Sequence, residues 1–376
     1  MTANRLNLGR AATEVMREIL GRIATGPELS KDLSQAEAAE AMHLVLSGQV
    51  DPVQAGIFLI ALRMKRETDE ENLGLLDALR AETTEVIAAV DEIMDVADPY
   101  DGYLRSLPPS PFLPAVLAAT GVPSVSHGLL CVGPKHGVTH RQVLAAAGIP
   151  VDLSPQAAAL RVADPSIGWA YVDQNAFCPR LHALVPLREL IVKRPALSTV
   201  ETLLGPLRGR IKTHLLTGYV HKPYPRIYAL LARRAGFNSA LMVRGVEGGV
   251  IPSLRQMGAF VYYHDQGEEQ SLEIHPEDLG IVQTVRAASL PEQIDGLREP
   301  TDAEKPFNAT LVAAAAAEQG LAALQGAAGP TRDALIYAAA MCLFHLGRHD
   351  SPRTAAAMVR TCLDDGGALA RFSAAH

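Results

Sequence analysis

The chain is poor in the residues and patterns that would place it outside ordinary globular enzymes. Only four cysteines occur in its 376 residues, Cys131, Cys178, Cys342 and Cys362, and none pairs with another as CxxC. Neither a zinc ribbon nor a disulfide framework is indicated, and reduced core thiols are the expectation. No apolar run is long and unbroken enough to span a bilayer. Met1 to Arg10 is polar and lacks the apolar centre of a signal peptide. The expectation is therefore a cytoplasmic protein with no membrane contact. A net positive charge is also missing: the formal charge is −7, which argues against a general nucleic-acid binder. Internal repeats are absent, and 48% hydrophobic with 20% charged residues excludes wholesale disorder.

The average charge hides a strong asymmetry. From Arg180 to Arg234 eleven basic residues face only Glu189 and Glu201, a local excess of nine positive charges. From Glu247 to Glu304 twelve carboxylates face three arginines, an excess of nine negative charges. The basic segment is a candidate face for an anionic ligand.

The first ninety residues read as helices. Ser34-x-x-Glu37 and Thr68-x-x-Glu71 are capping boxes, and Asp51-Pro52 is an N-cap followed by proline at the first helical position. After Asp91 the pattern changes. Short apolar runs at Glu92–Val96, Ser124–Ser126, Lys212–Gly218, Ser239–Val243 and Phe260–Tyr263 alternate with helical stretches such as Pro225–Ala235. Ala-rich helices close the chain near Leu311–Leu324, Asp333–Leu346 and Thr354–Leu363. The expected fold class is α/β: a small all-helical N-terminal domain, and a larger α/β domain with a central, mainly parallel sheet flanked by helices. The expected boundaries are 1–90, joined by roughly 175–195, for the helical domain and 91–376 for the domain carrying the ligand cleft.

Several positions carry chemistry. His127, at a strand end before Gly128, faces a ligand if the site lies at the carboxyl end of the sheet; otherwise it is bonded within its turn. Arg188 offers a bidentate fork for an anion. Lys193 and Arg194 form either a solvated loop or an anion contact. Lys212, His214, Lys222 and Arg226, with Tyr224 among them, suit phosphates and stacked bases, although basic helix starts are common. Arg244-Gly245 and Gly248-Gly249 read as a tight turn or a phosphate contact. Cys131 and Cys178 show no recognisable base and orienting partner.

Leu33 to Arg80, with Gly48-Gln49-Val50 and Ala61-Leu62-Arg63-Met64-Lys65-Arg66-Glu67-Thr68, resembles the helical domain of the anthranilate phosphoribosyltransferases. These are members of glycosyltransferase family 3, with the nucleoside-phosphorylase class II fold. The resemblance continues through Gly121-Val122, His127-Gly128, Arg188 and Leu204-Gly205-Pro206-Leu207. It implies an interdomain cleft, a homodimer through the helical domain, and use of phosphoribosyl pyrophosphate with magnesium. The motifs for that ligand are altered. The family's GTGGD loop reads Asp98-Pro99-Tyr100-Asp101-Gly102, and its N-x-S-T run reads Pro108-Pro109-Ser110-Pro111, keeping only Ser110. Bare glycine amides are replaced by an amide-less proline and two carboxylates, which repel a diphosphate. KHGN becomes Ser126-His127-Gly128-Leu129, followed by Lys135 and Gly137. The magnesium-holding Asp-Glu pair is absent, and Glu247 lies earlier in the turn. The pattern is similar to the divergent YbiB-like branch of the family, some of whose members bind nucleic acid.

The expected function is an anthranilate phosphoribosyltransferase-like protein with degenerate phosphoribosyl pyrophosphate and magnesium motifs. It binds an anionic small molecule or single-stranded nucleic acid instead of performing standard catalysis. The ligand contacts expected are His127, Gly128, Ser110, Lys135, Arg188 and Arg244, with Lys193, Arg194, Lys212, His214, Lys222 and Arg226 on the anion. No resident cofactor or metal is expected, magnesium entering only with catalysis. The alternative is an active glycosyl- or phosphoribosyltransferase with a remodelled phosphate loop, in which Arg188 orients an acidic or aromatic acceptor and His127 polarises it.

Overall fold

A computed structural model describes residues 11–26, 28–291 and 308–376. The polar first ten residues and the carboxylates from Glu292 to Glu304 lie outside the described residues.

Four helices open the chain: α1 (Ala12–Ile23), α2 (Gln35–Leu46), α3 (Pro52–Lys65) and α4 (Asp69–Ala81). The capping boxes form as the spacing predicts: Ser34 accepts from the Glu37 N–H and Thr68 from the Glu71 N–H, and both glutamates bond back. Glu71 does more than cap. Its fully buried carboxylate also accepts from the Leu33 N–H at 2.9 Å and pairs with Lys65 at 2.7 Å. Gly74 lets α2 and α4 approach, because a Cβ there would sit 2.4 Å from the Gln35 carbonyl oxygen.

A two-stranded parallel ribbon, β1 (Val86–Ile87) with β5 (Leu207–Arg208), leads into the main sheet. That sheet has seven strands, in the order β4-β3-β2-β6-β7-β8-β9. The strands are β2 (Glu92–Ala97), β3 (Ser124–Gly128), β4 (Trp169–Asp173), β6 (Lys212–Tyr219), β7 (Ser239–Arg244), β8 (Gly258–His264) and β9 (Gln270–Ile274). The first five are mutually parallel. The Phe260–Tyr263 run lies in β8, which pairs antiparallel to β7, so the sheet is mainly and not wholly parallel. Trp169–Asp173 is a strand the apolar pattern did not single out.

Alternation along the strands sorts side chains onto two faces. Met94, Val96, Leu216, Leu241 and Val243 join one apolar cluster with α5 (Leu113–Ala119), α6 (His140–Ala146) and the closing helices α13 (Ala309–Leu324), α14 (Pro330–His345), α15 (Pro352–Asp364) and α16 (Gly367–Ser373). Ile93, Ala97, Leu215, Ala240 and Met242 join a second cluster that runs without a break into α1–α4, with α7 (Pro155–Ala163) and α12 (Tyr224–Arg234). Between β4 and β5 the short helices α8 (Gln174–Phe177), α9 (Pro179–His182), α10 (Val185–Ile191) and α11 (Leu197–Val200) return to the helical part, α10 packing on α3 and α11 on α4. A boundary at residue 90, with roughly 175–195 completing the helical unit, is our proposed division.

Candidate functional site

The loops after β2, β3, β6 and β7 gather at the carboxyl ends of the parallel strands, where open α/β sheets bind ligands. They enclose a cleft of about 130 Å3, lined by Arg63, Asp101, Lys135, Arg194 and Glu247 among others. Its carboxylates are already committed to the chain's own donors.

Asp98, directly after β2, is 2% exposed. It accepts from the Tyr103 hydroxyl at 2.8 Å, the Ser110 hydroxyl at 2.5 Å, His140 Nε2 at 2.9 Å and the Val250 N–H at 2.9 Å. Burial alone would push its carboxyl up, but the bonds from His140, Ser110 and Tyr103 outweigh it and hold the group below the usual range. The next carboxylate of the loop, Asp101, pairs with Arg194 and lies 3.4 Å from Lys135 Nζ. Lys135 also donates to the carbonyls of Gly102 and Glu247, each at 3.0 Å.

Glu247 completes the pattern. It sits at φ +54°, a left-handed conformation costly for a residue with a side chain. Its carboxylate accepts from the Leu104 N–H, the Arg105 N–H and the Ser106 hydroxyl, each at 2.9 Å. Two amides and a hydroxyl converging on two oxygens form a cradle for an oxyanion, and here a side chain of the same molecule fills it.

The expected ligand contacts fall into three groups. His127, Ser110 and Arg188 are buried and engaged internally. Tyr100 is kept as a phenol by burial and by the Glu201 and Asp95 carboxylates, which push its hydroxyl well up. Its hydroxyl is hydrogen-bonded to His127 Nδ1, and His127 Nε2 lies 2.7 Å from an Asp95 carboxylate oxygen. Ser110 is spent on Asp98. Arg188 donates both fork nitrogens to Glu201, at 2.6 and 2.7 Å, so its bidentate partner is a protein carboxylate and not a bound acid. Gly128 lies beside this group, where a Cβ would make only ordinary contact with Tyr171 and Tyr100. Lys135 and Arg194 form the second group and do line the cleft.

The third group lies elsewhere. Lys212 and His214 are at the start of eight-residue β6, not after it, so about 17 Å and about 10 Å of strand respectively separate them from Thr217, where the cleft lining begins. Lys212 pairs with Asp265, and His214 Nδ1 meets the Ser239 hydroxyl at 2.8 Å. Arg226 is bidentate to Asp69 at 2.7 Å. Arg244 borders a different cavity, across the Glu247 turn. Much of the basic segment is neutralised in this way, with Arg180 on Glu82, Arg208 on Glu85, Arg233 on Glu269 and Arg234 on Asp77. Among the described residues Lys193 and Lys222 form no ion pair.

Cys131 corrects one expectation. Its Sγ lies 3.4 Å from His136 Nδ1, and His136 Nε2 lies 3.2 Å from Glu189, so a base and an orienting carboxylate are present. Burial and Glu189 push the thiol up, which leaves it protonated at rest. Asp95, Tyr103, His140 and Glu201 were missed. Asp95 had a signal: a carboxylate inside an apolar strand must find a partner.

The residues present do not fit a magnesium ion. Asp98 and Glu247 have their oxygens taken by protein donors, and among the described residues no three His, Cys, Asp or Glu side chains are grouped to hold a metal.

A helical bundle lies against a mainly parallel sheet with a cleft at the strands' carboxyl ends, and comparison with known proteins matches both parts to the domains of a glycosyl transferase family. The family's helical bundle domain matches residues 17–83 and its α/β domain residues 110–369. The chain belongs to this family, glycosyltransferase family 3. It is 30% identical over 362 residues to an anthranilate phosphoribosyltransferase of Azorhizobium caulinodans, covering 96% of this chain and 95% of the relative. A homologue of the same name from a Bradyrhizobium strain is 29% identical over 359 residues, 95% of this chain and 96% of the relative. Among solved structures, anthranilate phosphoribosyltransferase from Thermus thermophilus superposes with TM-score 0.70 at 20% identity, covering 97% of this chain and 98% of that one. The Saccharomyces cerevisiae enzyme in complex with PRPP and Mg superposes with TM-score 0.70 at 14% identity, over 97% and 98% of the two chains. These structural likenesses speak to the fold alone.

Proposed function

We propose that this chain is an anthranilate phosphoribosyltransferase-like protein whose cleft no longer accepts phosphoribosyl pyrophosphate and magnesium in the family's manner, and that it binds an anionic ligand instead. The observation that carries this reading is the occupation of the phosphate loops by the protein's own carboxylates. Asp98 consumes four donors and Glu247 consumes three. A diphosphate would have to displace these charge-assisted bonds, the Asp98 set buried and the Glu247 set partly exposed, and leave each carboxylate without its donors. The cations lining the cleft are Lys135 and Arg194, shared with Asp101, and Arg63, with Lys193 and Lys222 in no ion pair among the described residues. They suit a small anion better than a nucleic-acid strand, because most of the rest of the basic segment is paired.

The test is calorimetric titration with phosphoribosyl pyrophosphate and magnesium, with and without anthranilate. The expected result is no saturable heat and no turnover. Saturable micromolar binding with product formation would establish the active transferase that the full-length kinship favours. We also propose a homodimer through the helical part, where Val53 and Met64 on α3 and Leu190 on α10 are exposed apolar side chains. Light scattering should give twice the chain mass, and Leu190→Glu should reduce it to one. Among the described residues no helix is long and apolar enough to cross a membrane.

A further inference from the structure

A second cavity, of about 920 Å3, lies across the Glu247 turn from the cleft and is independent of the reading above. Its polar lining comes from four separate stretches: Arg105 after β2, Arg244 at the end of β7, Ser253, Arg255 and Gln256 before β8, and Arg286 beyond β9. Four arginines thus line one space. Among the described residues none of them forms an ion pair, and the one side-chain bond they make is from Arg255 to the Thr284 carbonyl at 3.3 Å. Among the described residues the single carboxylate on the wall is Glu247, whose oxygens accept from the Leu104, Arg105 and Ser106 donors.

All four arginines are exposed, so solvent screens their mutual repulsion and leaves their guanidiniums available to a ligand. Several other arginines of the chain pair with carboxylates, whereas these four line one cavity with no such partner among the described residues, which makes the cavity a candidate site for an external anion. Among the described residues the lining contains no aromatic ring to stack nucleic-acid bases. The volume falls in the range of small-molecule sites. Planar guanidinium forks match phosphate oxygens two at a time. The Glu247 carboxylate on the cavity wall shows that the adjoining backbone already presents donors at oxyanion spacing. We propose that this cavity is a binding site for a compact oligophosphate, held by Arg105, Arg244, Arg255 and Arg286, with Ser253 and Gln256 completing the contacts.

The test uses inorganic tripolyphosphate as the probe, by calorimetry without added metal, at about 50 mM and about 200 mM potassium chloride. The expected result is saturable binding with one site per chain, weakened several-fold at the higher salt. Arg255→Gln and Arg286→Gln, both exposed side chains, should each weaken it about tenfold. Arg353→Gln, on the far helix α15, should leave it unchanged, and melting curves should show all three variants folded. Absence of binding at the lower salt would overturn the proposal. So would binding that survives both substitutions, since the anion would then sit elsewhere, the cleft included. Tighter binding of a twelve-residue oligothymidylate than of tripolyphosphate would also overturn it, in favour of a nucleic-acid strand. Failure here leaves the cleft reading standing, because that reading is tested by a different ligand and different residues.

Discussion

The two cavities that share Glu247 as a wall treat their charges in opposite ways. In the cleft, Asp98, Asp101, Glu201 and Glu247 are each matched to donors from several loops, and Arg188 and Arg194 are held by carboxylates. In the neighbouring cavity four arginines stand without a carboxylate partner among the described residues. Both regions are polar, yet the first is internally satisfied and rigid in its bonding while the second is open to an outside anion. The difference teaches that net charge along a segment says little about binding; what matters is which charges the fold has already paired.

Substitutions can break or sharpen that contrast. The largest effect should follow loss of Asp98. Asp98→Ala strands Tyr103, Ser110, His140 and the Val250 N–H, and urea unfolding should show a loss of about 3–5 kcal/mol; a loss below about 1 kcal/mol would show the donors find other partners. Arg188→Met leaves Glu201 a buried charge without its fork, for a loss of about 3 kcal/mol, most of which Arg188→Met combined with Glu201→Leu should restore. No restoration would mean that the pair itself, and not the unpaired charge, dominates.

A pH effect comes next, from the opposite end of the sheet. His214 is pushed down to about 4, mainly by burial, and His345 and His264 are also lowered by burial. A histidine whose folded pKa is depressed takes up its proton more readily when unfolded. Stability is therefore complete above the ordinary imidazole range and falls as pH drops from about 6.5 towards about 4. The expected decline is a few kcal/mol, and His214→Phe should flatten it; a flat wild-type profile across that window would contradict the assignment. Removing the exposed Arg226–Asp69 bridge by Arg226→Ala should cost less than about 1 kcal/mol. Arg255→Gln should shift stability by less than about 0.5 kcal/mol, since no carboxylate depends on it. A larger loss at Arg255 than at Arg188 would invert the comparison between the two regions.

Local signals made much of the fold legible. The capping boxes at Ser34 and Thr68 and the Asp51-Pro52 start depend on neighbours in sequence, and the helices begin where those residues stand. Apolar runs located β2, β3, β6 and β7 to within a few residues. The direction of β8 was not legible, because a run of alternating apolar residues does not record which way its neighbour runs. At the site, replacement of the glycine loop by Asp98 and Asp101 was visible, but His140 and Arg194, which hold these carboxylates together with the nearby Tyr103, come from distant loops. The basic segment misled for the same reason. Its neutralising acids, Asp69, Asp77, Glu82, Glu85, Asp265 and Glu269, lie outside it in sequence, while the unpaired Arg105, Arg255 and Arg286 come from stretches with no basic excess.

The most direct measurement is a crystal structure of the chain grown with saturating phosphoribosyl pyrophosphate and magnesium. The account predicts that Glu247 stays on the Leu104, Arg105 and Ser106 donors and Asp98 on its four, with no diphosphate on the loop from Asp98 to Gly102. Electron density for the diphosphate on that loop, with Glu247 swung out to a bound metal, would contradict it.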